Sequence, residues 1–280
     1  MPISITINLI SSTDTTLPHK PIPGRANYSN ILALIQTVDP ALGKAIHDGD
    51  GPKPLTCSAL LDERGVSSPM SKGGYPIAQQ KAYRVRITGL IPEVTAVLAR
   101  VLGEDPPTHW SIANHAFTVA STTCDPAVDP WTDHVTYEEL ASQQLLQSGR
   151  VERKVKMLFA SPTSFRSKGM HVPVPMPDLV FGSLVERWNH FSPVTLSPEM
   201  RRFADEVVAL SNYEFRSRTV DQKSKGAIIG GIGRATYSAL SGDRYWLASM
   251  QMLADFALYS GVGVKTTVGM GQVRRLKIND

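Results

Sequence analysis

The sequence predicts an α+β fold made of two tandem domains, each with the element order β-α-β-β-α-β. Its 280 residues suit two domains of ordinary size. Apolar residues make up 42% of the chain, which is enough for two buried cores. In both halves, segments that alternate apolar and polar residues and segments of helical spacing follow one another in this same order. Two ferredoxin-like domains in tandem are therefore expected.

Periodicity and turn residues mark the elements of the first half. Residues 2–10 alternate as a strand does, and helical spacing of apolar residues follows Asn27, which is a good N-cap. Asp39 and Pro40 begin a second helix, which the glycines and aspartates after His47 end. The other predicted elements are strands at 54–61, 76–88 and 109–120 and a helix at 92–102.

The second half repeats the order with more decoration. The predicted elements are a strand at 151–159, helices at 178–191 and 198–210, paired strands at 212–220 and 226–239, a helix at 243–258 and a strand at 271–278. Prolines and turn-forming aspartates make residues 121–135 a predicted linker. The expected domains are thus 1–122 and 150–280.

The two halves differ in charge. Residues 1–150 carry 11 Lys and Arg against 14 Asp and Glu, whereas residues 151–280 carry 18 against 11. The net charge therefore changes from −3 to +7, which favours a polyanionic partner for the second half. Charge alone is equally compatible with a basic domain that is merely soluble.

Little in the sequence favours a metal, a disulfide or a membrane. Cys57 and Cys124 form no C-x-x-C pair, so neither a zinc site nor a disulfide framework is supported, and no cofactor is expected. The N-terminus lacks the charged start of a signal peptide, and no apolar run is long enough to span a bilayer. A cytoplasmic location without membrane contact is expected.

A glycine-rich segment lies near the C-terminus. Glycine lets a backbone approach a ligand closely and expose N–H groups to phosphate. The segment is not a P-loop, because Val264 replaces the glycine before Lys265 and because it follows a helix. A hairpin whose glycines serve only tight packing is an equally good interpretation. The four glycines are Gly261, Gly263, Gly269 and Gly271.

The pattern of this segment resembles the glycine-rich loop of the RAMP superfamily, the repeat-associated RNA-binding proteins of CRISPR systems. More specifically, the chain resembles the family of CRISPR-associated endoribonucleases that process repeat transcripts. Ile46-His47 followed by Gly51-Pro52-Lys53 resembles the catalytic helix and second strand of that family. Residues 160–166 and 175–189 resemble the first strand and first helix of its C-terminal domain. The resemblance covers nearly the whole chain and is poorest at 121–150.

The resemblance implies an endoribonuclease that cleaves CRISPR repeat RNA without a metal ion. The 2′-hydroxyl would attack the adjacent phosphate and leave a 2′,3′-cyclic phosphate and a 5′-hydroxyl. The implied partners are precursor repeat RNA and subunits of a CRISPR effector complex, and the implied state is a monomer or a homodimer. A non-cleaving RAMP subunit that only holds guide RNA is the main alternative. A nucleotide-binding enzyme is disfavoured by the failed P-loop.

His47, Lys53 and Tyr28 are the candidate catalytic residues. Histidine titrates near neutral pH and can carry either proton of this reaction, and a helix C-terminus favours its protonated form. Lys53, six residues later, can bring an ammonium to the same phosphate. Family members place a tyrosine in the first helix where this chain has Leu32, so Tyr28, one turn earlier, is the candidate. Apart from the resemblance, a lone histidine is more often inert, and Tyr28 is then only an amphipathic residue at a helix start.

Basic residues of the second half are the candidates for binding RNA phosphates. Arg216 and Arg218 lie two apart on a predicted strand and therefore share one face. A solvated sheet face is the alternative interpretation. Together with the glycine-rich segment, the predicted RNA-binding set is Arg166, Lys168, Arg216, Arg218, Lys223, Lys225, Arg234, Gly261, Gly263, Lys265, Gly269 and Gly271.

Overall fold

The computed structural model describes residues 1–18, 23–66, 74–221 and 226–278. The chain divides into two compact units. The first contains Met1–His134 together with the short segments Asp221–Gly226 and Lys265–Met270, and the second contains the rest. Residues 123–149, which lie between the two predicted domains, are divided between the units after His134.

The described residues of the first unit form an antiparallel sheet and three α-helices. In chain order it contains β1 (Ile3–Ile10), β2 (Thr15–Leu17), α1 (Pro23–Val38), α2 (Pro40–Asp48), β3 (Leu55–Cys57), β4 (Tyr75–Ile77), β5 (Ala82–Gly89), α3 (Pro92–Leu98), β6 (His109–Ile112), β7 (His115–Thr123) and β8 (Asp133–His134). The strand order is β3-β5-β1-β7-β6, β8 pairs with β1, and β2 and β4 form a separate pair. A π-helical turn, Ala99–Glu104, extends α3.

β1 lies in the middle of this sheet and is buried on both faces. Its apolar side chains join one core with Ile31 and Ile35 of α1. On the polar face, Ser4 donates a hydrogen bond of 2.7 Å to the carbonyl of Trp131, and the fully buried Arg86 guanidinium lies 5.0 Å from the Trp131 ring. The prediction of a linker at 121–135 is therefore wrong, because part of that segment covers the second face of the sheet.

In the second unit, the part of the chain that the structure describes forms a similar sheet and four α-helices. In chain order it contains α4 (Tyr137–Leu145), β9 (Lys154–Thr163), β10 (Phe165–Ser167), β11 (Met170–Val172), α5 (Pro177–Phe191), α6 (Met200–Val207), β12 (Val208–Asp221), β13 (Ala227–Ala239), α7 (Arg244–Ser260) and β14 (Val273–Leu276). The strand order is β12-β13-β9-β14, and β10 pairs with β11. The rings of Tyr137 and Phe256 both meet the buried Trp188 edge-on, at 5.2 Å.

The two sheets share one topology. In each, the main strands lie in the spatial order second, third, first, fourth, as β3-β5-β1-β7 and as β12-β13-β9-β14. This is the ferredoxin-like arrangement, so the predicted α+β fold of two tandem domains is confirmed. Within the described residues, no helix is long and apolar enough to cross a membrane.

Three local predictions are wrong. Asn27 is not an N-cap: it is buried inside α1, where its side chain donates to the carbonyl of Ser58 and accepts from the indole of Trp110. The single strand at 109–120 is a hairpin, because Ala113 and Asn114 adopt left-handed backbone angles and form its turn. The strand at 76–88 is divided into the three-residue strand β4 and the eight-residue strand β5, which pair with different partners.

Candidate functional site

His47 lies in the last turn of α2. The carboxylate of Asp39 accepts from the N–H of Leu42 at the start of this helix, and the N–H of Gly49 donates to the carbonyl of Ala45 at its end. Ile46 turns into the core, whereas the side chain of His47 is 66% exposed. The imidazole is therefore held on a defined helix end and is open to a ligand from solvent.

Asp48 is the immediate partner of this imidazole. Its Oδ1 lies 2.9 Å from Nδ1 of His47, and its other oxygen accepts from the ammonium of Lys44. These two hydrogen bonds, with that from Lys44 the larger effect, lower the pKa of Asp48. A carboxylate at Nδ1 favours the tautomer with its proton there, which leaves Nε2 free for proton transfer. From the sequence, Asp48 is predicted only as a turn residue, and its place directly after a candidate histidine was the signal available for a role at the site.

The side chain of Lys53 binds the same turn, at the C-terminal end of α2. Its ammonium donates to the carbonyl of Ile46 at 2.7 Å, to that of His47 at 3.2 Å, and to that of Gly49. These carbonyls lie at or just beyond the end of α2, where oxygens lack helical partners. The structure thus places the Lys53 charge at the turn that carries His47, while all three of its donors bind backbone. A role for Lys53 in catalysis stays a prediction.

Tyr28 lies on α1 and is packed against the core of the first unit. Burial raises the pKa of its hydroxyl, and the neighbouring Cys57 raises it further. The phenol is therefore protonated at neutral pH and can serve only as a hydrogen-bond donor or acceptor. Leu32 is buried in the same core, which agrees with its having no chemical role. The assignment of Tyr28 to the site stays a prediction.

The glycine-rich segment runs between α7 and β14. Its four glycines all have positive φ, from 62° at Gly261 to 103° at Gly269. A β-carbon at Gly263 would lie 2.4 Å from the carbonyl oxygen of Ser164, and one at Gly269 would lie 3.0 Å from Ala59. Backbone conformation and close packing both require glycine at these two positions.

Many backbone N–H groups of this segment already have protein acceptors. The N–H of Gly261 donates to Ala257, and that of Gly271 to Pro162. The others with such acceptors belong to Val262, Gly263, Val264, Val268 and Met270. The expectation that the glycines present a row of free N–H groups to phosphate is wrong for these positions. Binding of RNA by the segment stays a prediction, and Lys265 is its exposed cation.

Arg166 and Lys168 lie on the β10–β11 hairpin, which adjoins the glycine-rich segment within the second unit. The carbonyl of Ser164, just before this hairpin, accepts from the N–H of Val264 at 2.9 Å. Arg166 is exposed opposite His171, and Lys168 is exposed in the turn with a left-handed φ of 48°. The residue before this hairpin is thus hydrogen-bonded to the part of the glycine-rich segment that belongs to the second unit.

Arg216 and Arg218 lie on β12, the edge strand of the second unit's sheet. Both are exposed, and residues on both faces of this part of the strand are exposed. Arg234 is exposed on β13 opposite Leu158. Lys223 and Lys225 lie outside the described residues. Binding of RNA by these side chains stays a prediction.

Two ferredoxin-like units, a glycine-rich segment before the last strand and an exposed histidine at the end of a first-unit helix define a protein of the RAMP class. The family model of the CRISPR-associated endoribonuclease Cas6 matches residues 157–273, and that of the CRISPR Cas6 N-terminal domain matches residues 1–142. The chain belongs to the Cas6 family.

Curated relatives carry the same name. The chain is 28% identical over 149 residues to the CRISPR-associated endoribonuclease Cas6 of Streptococcus thermophilus, which covers 51% of this chain and 60% of that protein. It is also 28% identical over 147 residues to the protein of that name from Mycobacterium tuberculosis (strain CDC 1551 / Oshkosh). This match covers 50% of this chain and 46% of that protein. The matched region thus spans less than two thirds of either relative.

Solved structures match over nearly the whole chain. A structure described as the Cas6 (TTHB231) product complex has a TM-score of 0.78 at 25% identity and covers 99% of this chain and 100% of its own. The structure of Thermus thermophilus Cas6 (TTHB231) has a TM-score of 0.72 at 24% sequence identity, and the match covers 99% of this chain and 98% of that chain. A Cas6-related protein from Pyrococcus furiosus has a TM-score of 0.64 at 15% sequence identity, and the match covers 99% of this chain and 100% of that chain. At this identity the match supports a shared fold alone.

Proposed function

We propose that this protein cleaves CRISPR repeat RNA by metal-independent attack of a 2′-hydroxyl on the adjacent phosphate. The observation that carries the proposal is the exposed imidazole of His47, held at Nδ1 by Asp48 at the end of α2. Membership of the Cas6 family, and the similarity to a Cas6 product complex, support RNA as the substrate.

The reaction needs two proton transfers and a site for negative charge. The bond from the 2′-oxygen to phosphorus forms, the bond to the 5′-oxygen breaks, one proton leaves the 2′-hydroxyl and another reaches the 5′-oxygen. We assign one of these two transfers to Nε2 of His47. Lys53 contributes positive charge to the same turn. The products are a 2′,3′-cyclic phosphate and a 5′-hydroxyl.

The hydroxyl of Tyr28 is proposed as an auxiliary hydrogen-bonding group. Because burial raises its pKa, it does not serve as a general base at neutral pH. The proposed phosphate ligands of the second unit include the exposed cations of the β10–β11 hairpin and of strands β12 and β13. Subunits of an effector complex as partners, and a monomeric or homodimeric state, belong to the same proposal.

Incubation with synthetic repeat RNA in EDTA tests the proposal. Cleavage in EDTA that leaves a cyclic phosphate and a 5′-hydroxyl is the expected result. The second candidate, a RAMP subunit that only holds guide RNA, would retard the RNA in a gel and leave it intact. A product with a 5′-phosphate, or a requirement for added Mg²⁺, would overturn the proposed mechanism.

A further inference from the structure

We propose that Arg187 and Ser183 of α5 are positioning residues: they hold the glycine-rich segment so that it presents Lys265 to an RNA phosphate. This inference rests on the proposed function. It assigns a role in RNA binding to two side chains that do not themselves touch the RNA.

The two side chains bind opposite ends of one residue. The N–H of Gly263 donates to the hydroxyl of Ser183 at 3.0 Å, and the carbonyl of Gly263 accepts from the guanidinium of Arg187 at 3.1 Å. Ser183 and Arg187 are four residues apart on α5 and therefore lie on the same face of this helix. Both polar groups of Gly263 are thus engaged by a single rigid element.

Arg187 also binds the helix that precedes the segment. Its other terminal nitrogen donates to the carbonyl of Ser260, the last residue of α7, at 3.0 Å. A cation at this position interacts favourably with the C-terminal end of the helix dipole. Desolvation lowers the pKa of the guanidinium to about 10, so it remains charged at neutral pH. One planar group therefore fixes the chain from the end of α7 to Gly263.

The backbone after Gly263 leaves little freedom before Lys265. The N–H of Val264 donates to the carbonyl of Ser164 at 2.9 Å. Lys265 follows directly with a left-handed φ of 58°, a conformation that is costly for a residue with a β-carbon. A fixed backbone on its N-terminal side helps to maintain that conformation and hence the direction of the exposed ammonium.

The mechanism predicts a dependence between Arg187 and Lys265. If Arg187 acts on RNA through Lys265, its removal weakens binding only while the lysine is present. A merely structural role would weaken binding by the same factor with or without the lysine. The salt dependence gives a second readout, because each lost phosphate contact reduces the slope of log affinity against log salt by about 1.

A double-mutant cycle in the non-cleaving His47→Ala background tests the inference. The affinity for synthetic repeat RNA is measured across a salt series for Arg187→Met, Lys265→Ala and the double variant. We expect each single variant to weaken binding by about tenfold and to lose about one unit of salt slope. The double variant should then bind about as well as either single variant. Arg187→Lys, which keeps the charge without the planar fork, should restore part of the affinity.

Two controls separate folding from positioning. Arg201→Ala removes an exposed arginine that pairs with Glu186 near α5 and should leave the affinity unchanged. Ser183→Ala removes only the acceptor of the Gly263 N–H, so it replaces Arg187→Met in the cycle if that variant fails to unfold cooperatively. If the double variant loses affinity by the product of the two single-variant factors, or if the salt slope does not change, the inference is wrong. Cleavage of repeat RNA by the wild-type protein would still support the proposed function in that case. A wild-type protein that neither binds nor cleaves repeat RNA would overturn both.

Discussion

Replacing His47 with alanine is the sharpest perturbation of the proposed site. A general acid or base in the transition state contributes about 10²- to 10⁴-fold in rate, which corresponds to about 3–5 kcal/mol of barrier. The imidazole is 66% exposed and makes its side-chain hydrogen bond to Asp48, which keeps Lys44 as a second partner. The stability of the fold should therefore change by less than about 0.5 kcal/mol.

Single-turnover cleavage with the enzyme in excess separates chemistry from binding and product release. We expect the rate of His47→Ala to fall by at least about 100-fold while its affinity for the RNA stays within severalfold of wild type. His109→Ala, which removes another exposed histidine of the first unit, is the matched control and should cleave normally. A His47→Ala rate within threefold of wild type would show that this imidazole transfers no proton in the reaction.

Three further results are expected. Asp48→Asn should slow cleavage severalfold. Because the pKa of Asp48 is lowered in the folded protein, the contribution of this carboxylate to stability is complete above the ordinary Asp pKa and is lost as the pH falls through the lowered pKa. The melting temperature of the variant should therefore fall less steeply with decreasing pH than that of the wild type. Arg216→Ala and Arg218→Ala should each reduce the salt slope of RNA binding by about 1, and unchanged slopes would remove β12 from the binding surface. Gly263→Ala should lower the free energy of unfolding by about 1–3 kcal/mol in denaturant. The matched control is Gly149→Ala, where φ is also positive but a β-carbon would have no atom within 4 Å, and it should cost less. Equal losses in the two variants would contradict the packing argument.

Elements with a strong local signal could be predicted from the sequence. α2 begins as predicted because Asp39 and Pro40 supply the cap and the first turn without help from the rest of the chain. α5 and α7 also lie close to their predicted ranges, since their apolar spacing extends over several turns. The repeated element order was sufficient to predict the ferredoxin-like arrangement in both halves.

Elements that depend on distant residues were predicted poorly. Asn27 has the composition of a cap, but its side chain joins Ser58 to Trp110, and neither partner is near in sequence. Residues 121–135 have the composition of a linker, yet Trp131 is buried against a sheet face that contains Arg86. The turn at Ala113 and Asn114 lacks the glycine that normally marks such a hairpin.

At the candidate site, local residue patterns were enough to predict that a histidine ends a short helix and that a lysine follows after a tight turn. The partners of these two side chains became known from the folded chain. Lys53 donates to three carbonyls around the end of α2, and Asp48 holds one nitrogen of the imidazole. The glycines of the C-terminal segment could be located from the sequence. Glycine is required at Gly263 and Gly269 because Ser164 and Ala59, which are far away in the chain, approach the backbone closely there. Periodicity and caps are local properties, whereas hydrogen bonds and packing distances between remote residues exist only once the chain has folded.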